Sequence, residues 1–358
     1  MIVNGIDTLE FGLEIVDYSI EFKSMLEVLS VHKQLAQESN KEIIIELNDI
    51  NFTVSRTGIK FYQYSLSCND FFIYFMEKTM NTNSPIKVKF LASYIWSYGY
   101  NKAIENFMTW FSHFGLKIVE TKLSRLDICV DSDEFTFSEK DLNGVITRAR
   151  DYKNHYVDTE YFNGRQFSGF SIGSGNPIIA RIYNKTLEIK KSQKFWFHDV
   201  WNNYKWDKEK DVWRTEFQLR RPVLKEFNIK SLDDIFNNLN GLWIYLTHQW
   251  LTLRTPQNDT NTSRWPVNHK WLKIQNAEIN QTDSILVRNK VKKGNSEQLL
   301  NQIGGLLITL GALNDLHKIE HTLELSRKWI VSKLLSKNLS FENEVNERKN
   351  RFIISKEF

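Results

Sequence analysis

Three short segments of this 358-residue chain concentrate the residue types that phosphoryl transfer needs. In Ser124-Arg-Leu-Asp-Ile-Cys-Val-Asp131, the two-residue period of a strand sets Leu126, Ile128 and Val130 on one face and Arg125, Asp127, Cys129 and Asp131 on the other. In Ile178-Ile-Ala-Arg-Ile-Tyr183, Ala180 and Ile182 face one way and Arg181 and Tyr183 together the other. Val212-Trp-Arg-Thr-Glu-Phe-Gln-Leu-Arg220 sets Arg214, Glu216, Gln218 and Arg220 opposite Phe217 and Leu219. If the three share a sheet, one face gathers carboxylates, a tyrosine and several arginines. Apposed carboxylates bind a hard divalent cation through oxygen. That cation and the arginines neutralise charge building on phosphate oxygens. A tyrosine hydroxyl beside Arg181 and Lys185 is expected to have a lowered pKa and to act as a nucleophile. Taken singly, each strand reads as a half-exposed structural strand with cross-strand ion pairs. The combination is what points to chemistry.

The elements that must position these residues read as α+β. Phe11 to Gln37 has helical spacing, with Phe22, Met25, Leu26 and Leu29 on one side. Ile43 to Leu47, Phe52 to Ser55, Ile59 to Leu66, Phe71 to Phe75 and Ile86 to Phe90 read as strands, with a turn at Arg56-Thr-Gly. Asn101 to Phe114 reads as a helix stopped by Gly115. Gly164 to Pro177, with Gly164, Gly169, Gly173 and Gly175, reads as a hairpin pairing Phe167–Ile172 with Ile178–Tyr183 across Gly173-Ser-Gly-Asn. It is not a phosphate-binding P-loop, because no Gly-Lys-Ser/Thr follows at the required spacing. From about Leu232 the pattern is mainly helical, and Asn295 is positioned to cap a helix carrying Leu299, Ile303, Leu306, Leu310 and Leu313. Strands followed by helices predict a curved antiparallel sheet flanked by helices, with a mainly helical C-terminal portion. The expected domains are 1–230, with core motifs in 117–221, and 231–358.

Charge and composition narrow the function classes. The net charge is +4, yet the segment Arg181 to Lys225 holds twelve cations and six anions, a local excess of +6. Such a field suits an anionic partner, nucleic acid above all, although a lysine-rich solvated surface reads equally well. Aromatic residues make up 13% of the chain; most must be core, and a minority on a polar face could stack unpaired bases. Cys68 and Cys129 are the only cysteines, which excludes a disulfide framework and a cysteine-based zinc site and fits a reducing compartment. The longest apolar stretch, Gly304 to Leu313, is about half of what a membrane-spanning helix needs. With an acidic N-terminal stretch unlike a secretory signal, the expected location is cytoplasmic, without a membrane partner.

The segments Ser124–Asp131, Ala180-Arg-Ile-Tyr-Asn-Lys185 with Glu188 after it, and Trp213–Arg220 resemble the Rep_trans family. These are rolling-circle replication initiators of small Gram-positive plasmids, with related phage initiators and conjugative relaxases. The resemblance covers about a hundred residues, Lys117 to Arg221, with looser similarity through Gly99 to Gly115. It implies Tyr183 as the nucleophile, with Arg181 and Lys185 beside it in the active site. It also implies metal ligands among Asp127, Asp131, Glu188 and Glu216, with Asp127 and Glu216 ranked first, for Mg²⁺ or Mn²⁺. The implied reaction is attack of Tyr183 on a phosphodiester of single-stranded or hairpin origin DNA, leaving a 5′-phosphotyrosyl adduct and a 3′-OH that primes replication. A conjugative relaxase with the same chemistry is the nearest alternative. A non-catalytic DNA-binding protein, or a metal nuclease in which Tyr183 merely packs, are rivals of other classes. The resemblance admits a homodimer and a host helicase as partners, neither readable in the chain.

Arg125, Arg214 and Arg220 on the charged face are candidate DNA contacts. So are Arg264 and Trp265, at the end of the polar loop from Arg254, where a surface connection with Trp265 tucked into the C-terminal portion is the plainer reading. None of the eight histidines forms a His-hydrophobe-His pair. His317 and His321 have helical i, i+4 spacing, but Lys318 stands where a zinc HExxH motif needs glutamate.

Overall fold

Alternation of apolar and polar side chains drives the architecture. The strand Ile118–Ser132 (β7) buries Leu123, Leu126, Ile128 and Val130, and it is long enough to pair along its whole length with Ile2–Ile15 (β1) on one side. Its other edge takes Trp213–Arg220 (β12). The computed structural model describes residues 1–16, 20–78, 82–158, 165–174, 177–277 and 296–352. Among them, the other strands of the main sheet are Ile43–Leu47 (β2), Ile50–Val54 (β3), Tyr64–Ser67 (β4), Phe71–Phe75 (β5), Ile86–Phe90 (β6), Tyr152–Asp158 (β9), Arg165–Ile172 (β10) and Ile178–Asn184 (β11). The spatial order is β2-β3-β4-β5-β6-β1-β7-β12-β11-β10-β9. Val145–Thr147 (β8) and Leu251–Leu253 (β13) form a separate two-stranded ribbon. The class is α+β, as the succession of strands and helices predicts.

The half of the sheet from β2 to β1 is backed by an aromatic core. The helix Tyr100–Ser112 places Ala103, Phe107, Trp110 and Phe111 on one face, the helical apolar stripe. Phe107 meets Phe71 edge-on at 5.1 Å, and Phe11 meets Phe90 edge-on at 5.2 Å. Gly115, at φ +67°, takes the left-handed conformation beyond the helix end. The helix Ile20–Ser39 packs Phe22 against Phe75 at 5.6 Å.

Two local expectations are corrected. Phe11 to Ile15 is the end of β1 rather than the start of a helix: Phe11 and Leu13 alternate into the core and pair with both β6 and β7, so tertiary pairing overrides the helical spacing. The segment Ile59 to Leu66 is a tight turn closed by mutual backbone hydrogen bonds between Ile59 and Tyr62, and only then a strand. Phe61, at φ +74°, cannot continue an extended backbone. The hairpin β10–β11 forms in the expected register, but Gly164, Gly175 and Asn176 of its loops lie outside the described residues, as does the capping position Asn295.

The chain divides into two compact units, one of Met1–Asn48 and Phe52–Val287, the other of Asp49–Asn51 and Arg288–Phe358. The helices Asp233–Ile244 and His269–Gln275, which follow residue 230, belong to the first unit. Phe217 of β12 meets Trp243 at 5.5 Å and Trp250 at 6.1 Å, and the Trp271 indole donates to the Thr247 carbonyl at 2.8 Å. The second unit contains the helices Ser296–Leu313, Ile319–Ser336 and Phe341–Phe352. Thr322 is buried where the bare Gly311 lets the first two approach.

At the centre of the sheet a charged group is fully buried. Arg214 donates from Nε to Asp131 Oδ1 at 2.6 Å, from Nη2 to Asp131 Oδ2 at 2.8 Å, and from Nη1 to Asp7. Trp201, on the helix Phe197–Asn203, donates from Nε1 to Asp131 Oδ2 at 2.9 Å. Arg214 and Asp131 side chains are both 0% exposed. Removing one partner of such a pair strands the other charge without water. Asp131→Ala is therefore expected to cost about 3–5 kcal/mol of stability, seen as a lowered midpoint in urea unfolding; an unchanged midpoint would contradict this account.

Candidate active site

The register of β7, β12 and β11 brings the three sequence segments onto one face. Gln218 stands opposite Asp127, Glu216 opposite Cys129 and Arg214 opposite Asp131; on the next strand Arg181 stands opposite Glu216 and Tyr183 opposite Arg214. Directly opposed residues share a face, so Arg125, Asp127, Asp131, Arg214, Glu216, Arg220, Arg181 and Tyr183 all project from the same side.

Glu216 is the hub. The Tyr183 hydroxyl donates to its Oε2 at 3.0 Å, and Arg181 Nη1 donates to its Oε1 at 2.9 Å. Arg181 Nη2 donates to Gln218 Oε1 at 3.0 Å, which fixes the guanidinium plane. On the neighbouring strand Arg125 forks onto Asp127, Nε to Oδ1 at 2.8 Å and Nη2 to Oδ2, while Nη1 reaches Glu10 Oε1 at 3.3 Å. Asp127 is only 1% exposed. Burial pushes its carboxyl up to about 7, the Arg125 hydrogen bonds work against that rise, and the negative charge of Glu216 adds to it.

Beyond Tyr183 the strand runs directly into the helix Lys185–Ser192. Asn184 caps it, its Oδ1 accepting from the Leu187 backbone N–H at 3.0 Å. The first turn thereby sets Lys185 and Glu188 three residues apart and in contact, Nζ to Oε2 at 2.5 Å. Burial lowers the Lys185 pKa, assisted by the charge of Arg214. Burial opposes ionisation of Glu188 but is outweighed by Lys185, so its pKa is lowered. Opposite Tyr183 on β10 stands Gly169, at φ +146°. A Cβ there would lie 2.3 Å from the Ile182 carbonyl oxygen and 2.6 Å from the Tyr183 Cα, so only glycine admits this approach.

The expected lowering of the tyrosine pKa is corrected. Burial pushes the Tyr183 hydroxyl well above the ordinary value, and the negative charge of Glu216 pushes it further. Arg181 is committed to Glu216 and Gln218. Lys185 turns its ammonium to Glu188, 5.7 Å from the centroid of the Tyr183 ring.

Of the acidic residues singled out from sequence, Asp127 and Glu216 face each other's electrostatic field, whereas both oxygens of Asp131 are taken by Arg214 and Trp201, and Glu188 is held by Lys185. Arg220 stands opposite Arg125 at the far end of β12. Arg264 and Trp265 are not on this face. Arg264 is exposed and lies 3.7 Å from Asp259, and the Trp265 indole donates to the Asp259 carbonyl at 2.8 Å within its own loop. Sequence reasoning missed Asp7 and Glu10, because β1 was not recognised as a strand. The period-two recurrence of Leu9, Phe11 and Leu13, with Glu10 and Gly12 between them, was the signal. It also missed His155 of β9, whose Nε2 lies 2.7 Å from Ser171 Oγ. Among the described residues no group of three or more His, Cys, Asp or Glu side chains is arranged to hold a metal ion, and no helix is long and apolar enough to cross a membrane.

The fold and this face define an α+β protein with an ionisable cluster, centred on a tyrosine and two carboxylates, on an open antiparallel sheet. No protein-family model matches the chain, and no curated protein matches it. Among solved structures it is similar to one described as a rolling circle replication initiator protein from Geobacillus stearothermophilus, with a TM-score of 0.47 and 18% identity over 78% of this chain and 99% of that one.

The electrostatics have a pH signature. The Asp127 carboxyl binds its proton more tightly in the folded chain than in the unfolded one, so its contribution to stability is present at low pH and is lost as pH rises from the ordinary 3.8 through about 7. In a carbon-13 carboxyl titration, Asp127 is expected to titrate near 7, and Glu216→Gln to move its midpoint down. A midpoint near 4 in the unaltered protein would refute the arrangement.

Proposed function

We propose that the chain is a rolling-circle replication initiator of the kind its motifs resemble, a site-specific DNA strand transferase with Tyr183 as nucleophile. The observation that carries this reading is the hydrogen bond from the Tyr183 hydroxyl to Glu216, on a face that also carries Asp127, Arg181 and Arg125. In the proposed reaction Tyr183 Oη attacks the phosphorus of an unpaired strand, and its proton passes to Glu216 Oε2, which already accepts it. The bond from phosphorus to the 3′-oxygen breaks. The 3′-oxygen takes up a proton to become the 3′-OH primer end, and the 5′-phosphate stays on Tyr183. The bond energy is kept in the phosphotyrosine, so the reverse transfer rejoins the strand without ATP.

Asp127 and Glu216 suit a hard divalent cation, Mg²⁺ or Mn²⁺. Both are oxygen donors, and both are buried on adjacent strands, Asp127 at 1% and Glu216 at 6% exposure. Two carboxylates are the protein ligand count that Mg²⁺ commonly uses, the remaining positions going to water and phosphate oxygens. When bound, the cation would supply positive charge to the phosphate oxygens. Asp127 and Glu216 are the donors proposed first, and a cation there would take the place of Arg125 on Asp127 and of Arg181 on Glu216.

The test is a covalent-adduct assay with labelled single-stranded DNA from the gene's own element, with Mg²⁺ or Mn²⁺ and with a chelator, resolved on a denaturing gel. A labelled protein band is expected with metal and a loss of at least about a thousandfold in Tyr183→Phe, the scale of removing a nucleophile. Cleavage without an adduct would make the chain a metal nuclease, and binding without cleavage a non-catalytic DNA-binding protein.

A further inference from the structure

A cleft of about 580 Å³ lies on the first unit, lined in part by Lys60, Lys87, Lys122, Arg221 and Lys225, with no carboxylate among its lining residues. Two of the five cations are neutralised from outside it: Lys87 by Glu10 at 2.8 Å and Lys122 by Glu14 at 2.7 Å. Arg221 donates from Nη1 to the Leu123 carbonyl at 2.8 Å. Lys60, Arg221 and Lys225 form no ion pair among the described residues, with Glu14 acting on Arg221 only through its field, so the cleft keeps a net positive charge. Such a concentration of cations in a concave site attracts a polyanion.

The cleft also presents an aromatic ring. Phe61 is 42% exposed at the tip of the turn closed by Ile59 and Tyr62, while Tyr62 beside it is buried with its hydroxyl donating to the Ser84 carbonyl. A positive φ at such a turn position is normally met by glycine. Here a phenylalanine takes it at φ +74°, with the Lys60 ammonium 5.0 Å from its ring centroid. An exposed ring between cations is the arrangement on which an unpaired base stacks while its phosphates are neutralised. A duplex hides its base faces and has no use for the ring.

The cleft lies on the same side of the sheet as the tyrosine face and is linked to it through Glu10. Glu10 accepts from both Lys87 and Arg125, and Arg125 in turn holds Asp127. The bulge in the β1–β7 pairing between Glu10 and Phe11 skips Ser124, which sets Lys122 on the same side as Arg125 and Asp127.

We infer that this cleft is a second DNA site, which holds unpaired nucleotides flanking the cleaved phosphodiester by stacking a base on Phe61 and neutralising phosphates with Lys60, Arg221 and Lys225. The inference takes its ligand from the proposed function, and it is separable from the chemistry because binding can be read without cleavage.

The experiment is fluorescence anisotropy of a labelled oligothymidylate of about twenty nucleotides, without divalent metal, over a salt series. Phe61→Ala is expected to weaken binding about tenfold, the scale of one lost base stack. Lys60→Ala with Lys225→Ala is expected to lower the slope of log affinity against log salt by about 1.4, roughly 0.7 for each lost phosphate contact. Lys23→Ala with Lys41→Ala is the charge-matched control, since Lys23 lies on the helix that packs against the opposite face of the sheet. All these side chains are exposed, and circular dichroism verifies folding. The inference is overturned if the cleft variants bind as the control does, if a blunt duplex loses as much affinity as the single strand, or if the unaltered chain does not bind the single strand. Absence of an adduct from the unaltered chain, with the cleft effects on binding intact, would defeat the strand-transferase reading alone.

Discussion

The burial of one guanidinium governs the rest of the structure. Arg214 has no contact with water, and a lone charge in that position would cost several kcal/mol. Its compensation comes from three other elements. Asp131 on β7 supplies both oxygens, Asp7 on β1 supplies a third acceptor, and Trp201 approaches from the flanking helix to complete the hydrogen bonding of Asp131. The β1–β7 register shifts between Ile6 and Thr8, at Asp7 itself. A one-residue slip of β12 would send Arg214 to the apolar face, so the same pair that closes the core also holds Glu216 opposite Arg181.

The candidate site is balanced in the opposite way, with cations and carboxylates in competition. Arg125 is divided between Asp127 and Glu10, and Arg181 between Glu216 and Gln218. Lys185 has turned to Glu188. Tyr183 therefore rests as a neutral phenol that donates a hydrogen bond, and the positive charge near it is already spoken for. Any chemistry at this hydroxyl depends on charge that arrives with the reactants, which accords with the proposed need for a divalent cation.

Much of this was legible from alternation alone. The faces of β7, β11 and β12 followed from their two-residue period, and the charged face is the one they predict. The helix ending before Gly115 was legible for the same kind of reason, a strong apolar stripe and a clear stop. β1 was not legible as a strand. Its glycines lower strand propensity, and their value appears only in three dimensions, where a side chain on Gly5 would collide with Trp96 and one on Gly12 with Ser84. Losing β1 also meant losing Asp7 and Glu10. Neighbours in sequence do not set the direction of the Tyr183 pKa; burial and the charge of Glu216 do. Lys185 is two residues away, yet the group that touches the hydroxyl comes from Glu216, 33 residues on.

The two strands that flank Tyr183 divide the control of its surroundings between them. β12 sets the charge at the hydroxyl through Glu216, and β10 sets the room around the backbone through the bare Gly169. Acidity and access are thus carried by separate positions on separate strands. Such a site is modular: one property can drift or be redesigned without rewriting the other.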